Sequence, residues 1–283
     1  MLHDQASRTL LRPTILRAAH QLLDAPFILD DPLAVDLIPE ATVTSILSQR
    51  QELLSPRASL LRSAFVLRAR FAEECIARAA GQGYGQLVIL GAGLETFAWR
   101  QPSFAQGLRI FVTDHPASLA HAQEVRAVRG LVDPANVTLV PIDLEQRDLW
   151  GKLAQHQFLH DRPAIFTMLG LAQYLTPETL AHIFATVAQR PAAARLVLSH
   201  NPPDADLEGD DLALAQEAAA RTATLAEPWL YRPTTEELID QLRQSGFHDI
   251  DHLSPTEAQR TYFAQRLDQL RAPIFEQLVE ART

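Results

Sequence analysis

The chain has 283 residues, 47% of them hydrophobic and 21% charged, with a formal net charge of −9 and a pI near 5.5. That balance suits a globular fold with a sizeable core, and it disfavours a nucleic-acid partner, whose phosphates an acidic surface repels at long range. The single cysteine, Cys75, leaves no intrachain disulfide and no cysteine-rich metal site, and no apolar run reaches the roughly 18 residues that span a bilayer.

The opening residues, MLHDQASRTLLRP, lack the charged-then-apolar pattern of a signal peptide, so a cytoplasmic protein without a membrane partner is expected. Ser7 to Leu23 has apolar residues at helical spacing, interrupted by Pro13. Leu10, Leu11, Ile15, Leu16, Leu22 and Leu23 form an apolar set too large to leave in water. Asp30 and Asp31 precede Pro32 as the cap of a short helix would, with Pro32 at its first position. Leu60 to Ala80 reads as a long amphipathic helix, with Cys75 a small half-buried residue on it. GQGYG, 81–85, looks like a phosphate loop, but it follows a helix and precedes a strand. That order points no helix N–H groups at an anion, so it is read as a helix end and a loop.

From Gln86 the texture changes to short apolar runs separated by helical patterns. The runs are 86–90, 108–113, 137–142, 164–169, 195–200 and 249–253; the stretch 272–281 fits either a final edge strand or a helix. Continuous apolar runs mean strands buried on both faces, hence an α/β fold with a doubly wound, mostly parallel sheet. Residues 1–85 form a helical addition before it.

Ligands in such sheets bind at the carboxyl ends of the strands. The first strand ends in VILGAGLETFAW, 88–99, where Gly91 and Gly93 allow a tight turn and a close approach to a ligand. The third glycine of a dinucleotide fingerprint is replaced by Thr96, which disfavours a nicotinamide-dependent oxidoreductase. Asp114 ends the second strand, where a carboxylate can accept both ribose hydroxyls. Asp143 ends the third, where it can accept from an exocyclic amine while the Leu144 N–H donates to a ring nitrogen. One glycine turn and two acidic strand ends suit an adenosine ligand without phosphates, such as S-adenosylmethionine (SAM).

VILGAGLETFAWR (88–100), VTDHPA (112–117), PIDL (141–144) and PAIFTMLGLAQYLTPE (163–178) resemble, in order, the motifs of the leucine carboxyl methyltransferase-like family of class I SAM-dependent methyltransferases. Segments 9–34, 67–74 and 227–247 are similar to it as well. The resemblance implies a Rossmann-like, seven-stranded sheet with SAM as cofactor. It implies that the backbone of Gly91, Ala92 and Gly93 flanks the methionine part, that Asp114, beside His115, meets the ribose, and that Asp143 and Leu144 meet the adenine. Arg68 or Arg70 would meet the SAM carboxylate. Leu169 stands where the family often has a glutamate near the SAM amino group, and Glu95 replaces an aspartate.

His200, at a strand end, and Tyr174, after the fourth strand, are the candidate catalytic groups. DADLEGDD, 204–211, resembles a calcium loop, but its twelfth position is Ala215 rather than a bidentate glutamate; it is read as a solvated acidic loop, and no metal is expected. Phe65, Phe97, Trp99 and Trp229 are read as packing residues. The expected activity is O-methyl transfer to a small-molecule acceptor, a carboxylate or a hydroxyl of a secondary metabolite. A SAM-binding protein without catalysis is the second reading. The acceptor pocket is expected between the N-terminal helices and the insertion 201–231, with the N-terminal segment as a lid over the cofactor.

Overall fold

A computed structural model describes residues 10–283. Ser7, Arg8 and Thr9, the start of the first expected helix, lie outside the described residues. Five helices come first: α1 (Leu11–Leu23), α2 (Leu33–Leu37), α3 (Glu40–Ser48), α4 (Arg50–Leu53) and α5 (Pro56–Gly81). Pro13 falls in the first turn of α1, where its missing N–H costs no helical bond, so it does not interrupt the helix. Pro56 opens α5 in the same way, and Gly81 closes it, with a loop through Gly83 at φ 88°. The GQGYG segment is thus a helix exit.

The strands are β1 (Gln86–Leu90), β2 (Arg109–Asp114), β3 (Val137–Pro141), β4 (Ala164–Met168), β5 (Ala194–His200), β6 (Asp249–Leu253) and β7 (Gln277–Arg282). Between them lie α6 (Phe97–Arg100), α7 (Pro116–Val128), α8 (Leu149–Gln155), α9 (Pro177–Ala188), α10 (Gly209–Thr224), α11 (Thr235–Ser245) and α12 (Pro255–Tyr262). They form one seven-stranded sheet in the order β3-β2-β1-β4-β5-β7-β6. The first five strands pair in parallel; β7 runs antiparallel to both β5 and β6. The sheet is therefore doubly wound and mostly parallel, as its apolar runs require. Every residue of β1, β4 and β5 is buried.

The second half of the 272–281 stretch forms β7, from Gln277, and it is an interior strand rather than an edge. Leu278, Val279 and Ala281 are buried there, and His252 Nε2 meets Gln277 Oε1 at 2.8 Å across the β6 pairing. The edge is β6, with the charged, half-exposed face of an edge strand: Arg282 binds Asp249 (2.8 Å) and Asp251 (2.6 Å) along it.

Two smaller expectations are corrected. Asp31 does not cap α2; its side chain is fully buried and turned toward the α/β core. The acidic stretch 204–211 is solvated at Asp206, Glu208 and Asp210, as expected, but it is not a loop throughout. It forms a 3-10 turn and the start of α10, and Asp211 is buried, accepting from the N–H groups of Ile274 (2.6 Å) and Phe275 (3.1 Å) and pairing with Arg271 (2.8 Å). Backbone donors from the β7 approach need a buried acceptor, and this carboxylate supplies it.

Candidate active site

The bend after β1 is fixed from two sides. Gly91 takes φ 65° and Gly93 φ 57°, the left-handed region that side-chain-bearing residues avoid. The Ala92 N–H donates to the Thr113 carbonyl at 3.0 Å, tying the bend to β2. Asp114 then closes it: one carboxylate oxygen accepts from the Gly93 N–H and the other from the His115 N–H, both at 2.7 Å. Burial pushes the Asp114 carboxyl up from its ordinary value, and those two amide bonds oppose the shift. Each oxygen keeps a lone pair, so the group can still accept from a ligand. Glu95 accepts from the N–H groups of Thr96 and Phe97, both at 2.7 Å, and so caps the short helix α6.

Beneath the bend lies a buried charge cluster. Asp31 accepts from Thr96 Oγ1 (2.8 Å) and pairs with Arg17 of α1 (3.1 Å) and Arg100 of α6 (3.4 Å). Arg100 also pairs with Glu73 of α5, whose carboxyl burial pushes up to about 7. Arg17 Nη2 and Thr14 Oγ1 both donate to the Leu94 carbonyl, at 3.0 and 3.3 Å. The N-terminal helices are thus bonded directly to the glycine bend.

The bend opens into a cavity with about 950 Å³ of empty space, including its open mouth. Gly91, Ala92, Gly93, Asp114, Leu169 and Tyr174 line it, with Arg68, Arg17, Glu95 and Glu227 as the other charged walls. Leu10 covers Gly93 from the α1 side; a Cβ on that glycine would lie 3.8 Å from Leu10 Cγ. A second cavity of about 700 Å³ adjoins it, and Pro13, Arg68, Gly170 and Tyr174 line both. The rest of the second cavity comes from α1, α5, Gln173 in the turn after β4, the 201–231 segment and the approach to β7. Arg68 stands at the junction, bonded to Glu276 at 2.8 Å, with its guanidinium 4.3 Å from the Phe65 ring centre. Gly170 takes φ 66°, and a Cβ there would fall 2.6 Å from Arg68 Nη1.

Five residues singled out in the sequence stand outside both cavities. Arg70 faces outward and binds Glu74 at 2.6 Å, one turn along α5, so Arg68 alone of the two reaches the site. His115 caps α7, its Nδ1 accepting from the Ala117 N–H at 3.4 Å. Asp143 caps a 3-10 turn, accepting from the Glu145 N–H (3.0 Å) and Gln146 Nε2 (3.1 Å), while Leu144 leans on the core. Both stand just past β3, whose end is tied to β2 by the Ile142 N–H to Asp114 carbonyl bond at 2.8 Å. His200 is the clearest correction. It is 1% exposed, its Nε2 faces Thr235 Oγ1 at 3.3 Å, and burial beside His252 pushes its pKa down to about 3. It is a neutral histidine inside the fold, away from the cavity walls. Of the packing residues, Phe65 and Trp229 prove to line the second cavity, whereas Trp99 stacks under Arg126 at 3.7 Å.

Arg12, Arg17, Arg221 and Glu227 were not legible as site residues. Arg12, Arg17 and Glu227 fall in segments similar to the family, but nothing in the local pattern singles them or Arg221 out, and the packing of α1 and α10 against α5 accompanies their approach to the cavities. Among the described residues, no group of three or more His, Cys, Asp or Glu side chains is placed to hold a metal, and no helix is long and apolar enough to cross a membrane.

A glycine bend clamped by an acidic strand end, open to a cavity under a helical cover, defines a Rossmann-like ligand site. Residues 10–188 match the leucine carboxyl methyltransferase family, and the chain belongs to that family of SAM-dependent methyltransferases. Over 96% of both chains it is 28% identical to a Bacillus subtilis (strain 168) protein named "Putative S-adenosyl-L-methionine-dependent methyltransferase YktD". It is 25% identical to a similarly named Mycobacterium marinum (strain ATCC BAA-535 / M) protein, over 87% of this chain and 84% of that one. The fold is shared with the crystal structure of a "putative methyltransferase" from Thermobifida fusca YX (TM-score 0.59, 14% identity, 100% of this chain and 96% of that one). It is also shared with a DUF574 family protein of Streptomyces avermitilis MA-4680 (TM-score 0.55, 14% identity, 95% and 96%).

Proposed function

We propose that the first cavity holds SAM, that the second holds a small-molecule acceptor, and that the chain catalyses O-methyl transfer where the two meet. The observation that carries this is the convergence of the glycine bend, Asp114 and Arg68 on one cavity that continues, past Gly170 and Tyr174, into a second. The names of the full-length relatives support the cofactor. Asp114 would take the ribose hydroxyls with its remaining lone pairs, and Arg68 the carboxylate of the methionine part. Leu10 and α1 cover the bend, which would exclude water from the sulfonium.

Transfer of a methyl group from a sulfonium is an in-line displacement: the acceptor oxygen bonds the methyl carbon as the sulfur takes the leaving electron pair. Orientation supplies most of the gain. A hydroxyl acceptor must also lose a proton, and the histidine expected for that task lies inside the fold. A carboxylate is already ionised at pH 7 and needs no base. Methyl-ester formation on a small carboxylate, such as that of a secondary metabolite, is therefore the favoured chemistry. A hydroxyl assisted by Tyr174 is the second reading.

Calorimetry with SAM and with S-adenosylhomocysteine tests the cofactor assignment; each should bind one-to-one, and folded protein that binds neither would end it. Asp114→Ala should weaken SAM binding tenfold or more, since charge-assisted hydrogen bonds contribute about 1.5–3 kcal/mol each before water recovers part. An unchanged dissociation constant would place the ribose elsewhere.

A further inference from the structure

The second cavity carries the opposite charge to the molecule around it. Three arginines line it, Arg12, Arg68 and Arg221, against one carboxylate, Glu276, in a chain of net charge −9. Glu276 is bonded to Arg68 at 2.8 Å, so that pair is neutralised. Arg12 and Arg221 are not. Among the described residues neither guanidinium makes a hydrogen bond or an ion pair, and each stands close enough for its charge to act on the other. Glu217, the acid whose field reaches Arg12, is itself bonded to Arg57 at 2.6 Å.

The backbone makes the arrangement more costly still. Arg12 lies in the first turn of α1, a 13-residue helix with no acidic residue in that turn. A cation there faces the positive end of the helix, where an anion is favoured. Arg12 is half-buried, and burial together with Arg221 drives its pKa down. Two unpaired guanidiniums lining one cavity, Arg12 partly desolvated in the first turn of α1 and Arg221 exposed in the last turn of α10, are stabilised when an anion binds beside them. Leu61, Phe65, Trp229 and Phe275 supply apolar walls around that point.

Position decides which part of an acceptor this is. Arg12 and Arg221 line the second cavity only, whereas methyl transfer must occur at the junction, beside Gly170 and Tyr174. An oxygen held between two guanidiniums is also a poorer nucleophile. We infer that the acceptor is an acid with an apolar body whose anionic group docks on Arg12 and Arg221 and is retained, while a different oxygen of the same molecule receives the methyl group. Arg12 and Arg221 are thus specificity-determining residues, and the substrate class is the hydroxy acids or diacids of small-molecule size. This rests on the reading of the second cavity as the acceptor side.

The probes are 3-(4-hydroxyphenyl)propionate and 10-hydroxydecanoate, each against its primary amide, titrated into S-adenosylhomocysteine-loaded protein. The acids should bind at least tenfold tighter than the amides. In Arg12→Gln/Arg221→Gln that preference should collapse toward unity, while SAM affinity stays within twofold and certifies the fold. Each single variant should lose part of the preference. Amides that bind as tightly as the acids, an acid preference that survives the double variant, or acids that fail to bind at millimolar concentration would each overturn the proposal. Failure of the methyltransferase reading is separately visible: wild-type protein would then bind no SAM, and the acid-to-amide ratio can still be measured on the protein alone.

Discussion

Asp31 shows how much one side chain can organise. It is wholly buried, yet it joins α1 through Arg17, α6 through Arg100 and the glycine bend through Thr96. Removing one partner of a buried ion pair leaves an uncompensated charge in the interior, which costs about 3–5 kcal/mol. Asp31→Ala should lower stability by that order in a urea titration and weaken SAM binding with it, because Thr96 and Leu94 lose their anchors together. Gly91 offers a milder test. An alanine there would adopt φ 65°, at about 1–2 kcal/mol, with its Cβ 2.8 Å from Leu171 Cδ2. Gly91→Ala should therefore destabilise measurably and narrow the cofactor cavity.

His200 bears on pH. Its folded pKa, near 3, lies below its ordinary 6.5 because it is buried. The unfolded chain therefore takes up a proton, below pH 6.5, that the folded chain refuses. Stability from this group is present above 6.5 and is lost as pH falls, by up to about 1.4 kcal/mol per pH unit. Glu73, raised to about 7, acts in the opposite sense, so the informative quantity is the difference between wild type and His200→Gln. Between pH 7.5 and 5.5 the variant should lose about 1 kcal/mol less stability than wild type. An identical slope in both would show that His200 does not titrate on unfolding.

Helix α1 shows what a sequence says of an element and what it withholds. Its helical spacing was plain, and so was the need to bury its apolar face. The structure seats it against α2, α3 and α5, with Ala18, Ala19 and Leu23 buried, and it adds a polar interior that periodicity does not report. His20 holds Asp24 at 2.9 Å, Asp24 holds Arg62 of α5 at 2.8 Å, and Arg17 holds both Asp31 and the Leu94 carbonyl. A cover bonded in this way is part of the fold. Deleting residues 1–23 should lower the melting temperature sharply as well as abolish turnover; a truncated protein that melts like the full chain would contradict this packing. The strands were legible because β1 to β5 are continuous apolar runs. The place of β7 was not, since a short apolar stretch does not say which neighbour it will pair with. The glycine bend, Asp114 and Arg68 were legible through motif and spacing. The inward turn of His200 and the arginines of the second cavity depend on packing between distant segments, which no local pattern encodes.

At the scale of the whole molecule, a chain of net charge −9 carries an open cavity lined by three arginines and one carboxylate. An acid docked on Arg12 and Arg221 as proposed would be held by screened charge, so salt should weaken its binding at the second cavity while leaving SAM binding less affected. Turnover should survive a chelator: no His, Cys, Asp or Glu cluster among the described residues is placed for a metal. Activity lost in EDTA and restored by magnesium or zinc would reveal a site formed only with ligand.

Strand β7 has a consequence for how the protein is made. It is the last of the seven strands in chain order, yet it sits between β5 and β6. Until residues 277–282 emerge, β5, every residue of which is buried in the finished fold, presents a bare edge, and β6 lacks its partner strand. The nascent chain can assemble β1 to β5 as it is synthesised, but the sheet closes only after translation has passed Arg282. A chain cut short in the preceding loop would carry that open edge permanently, and edge-to-edge association with its own kind is the fate such strands share.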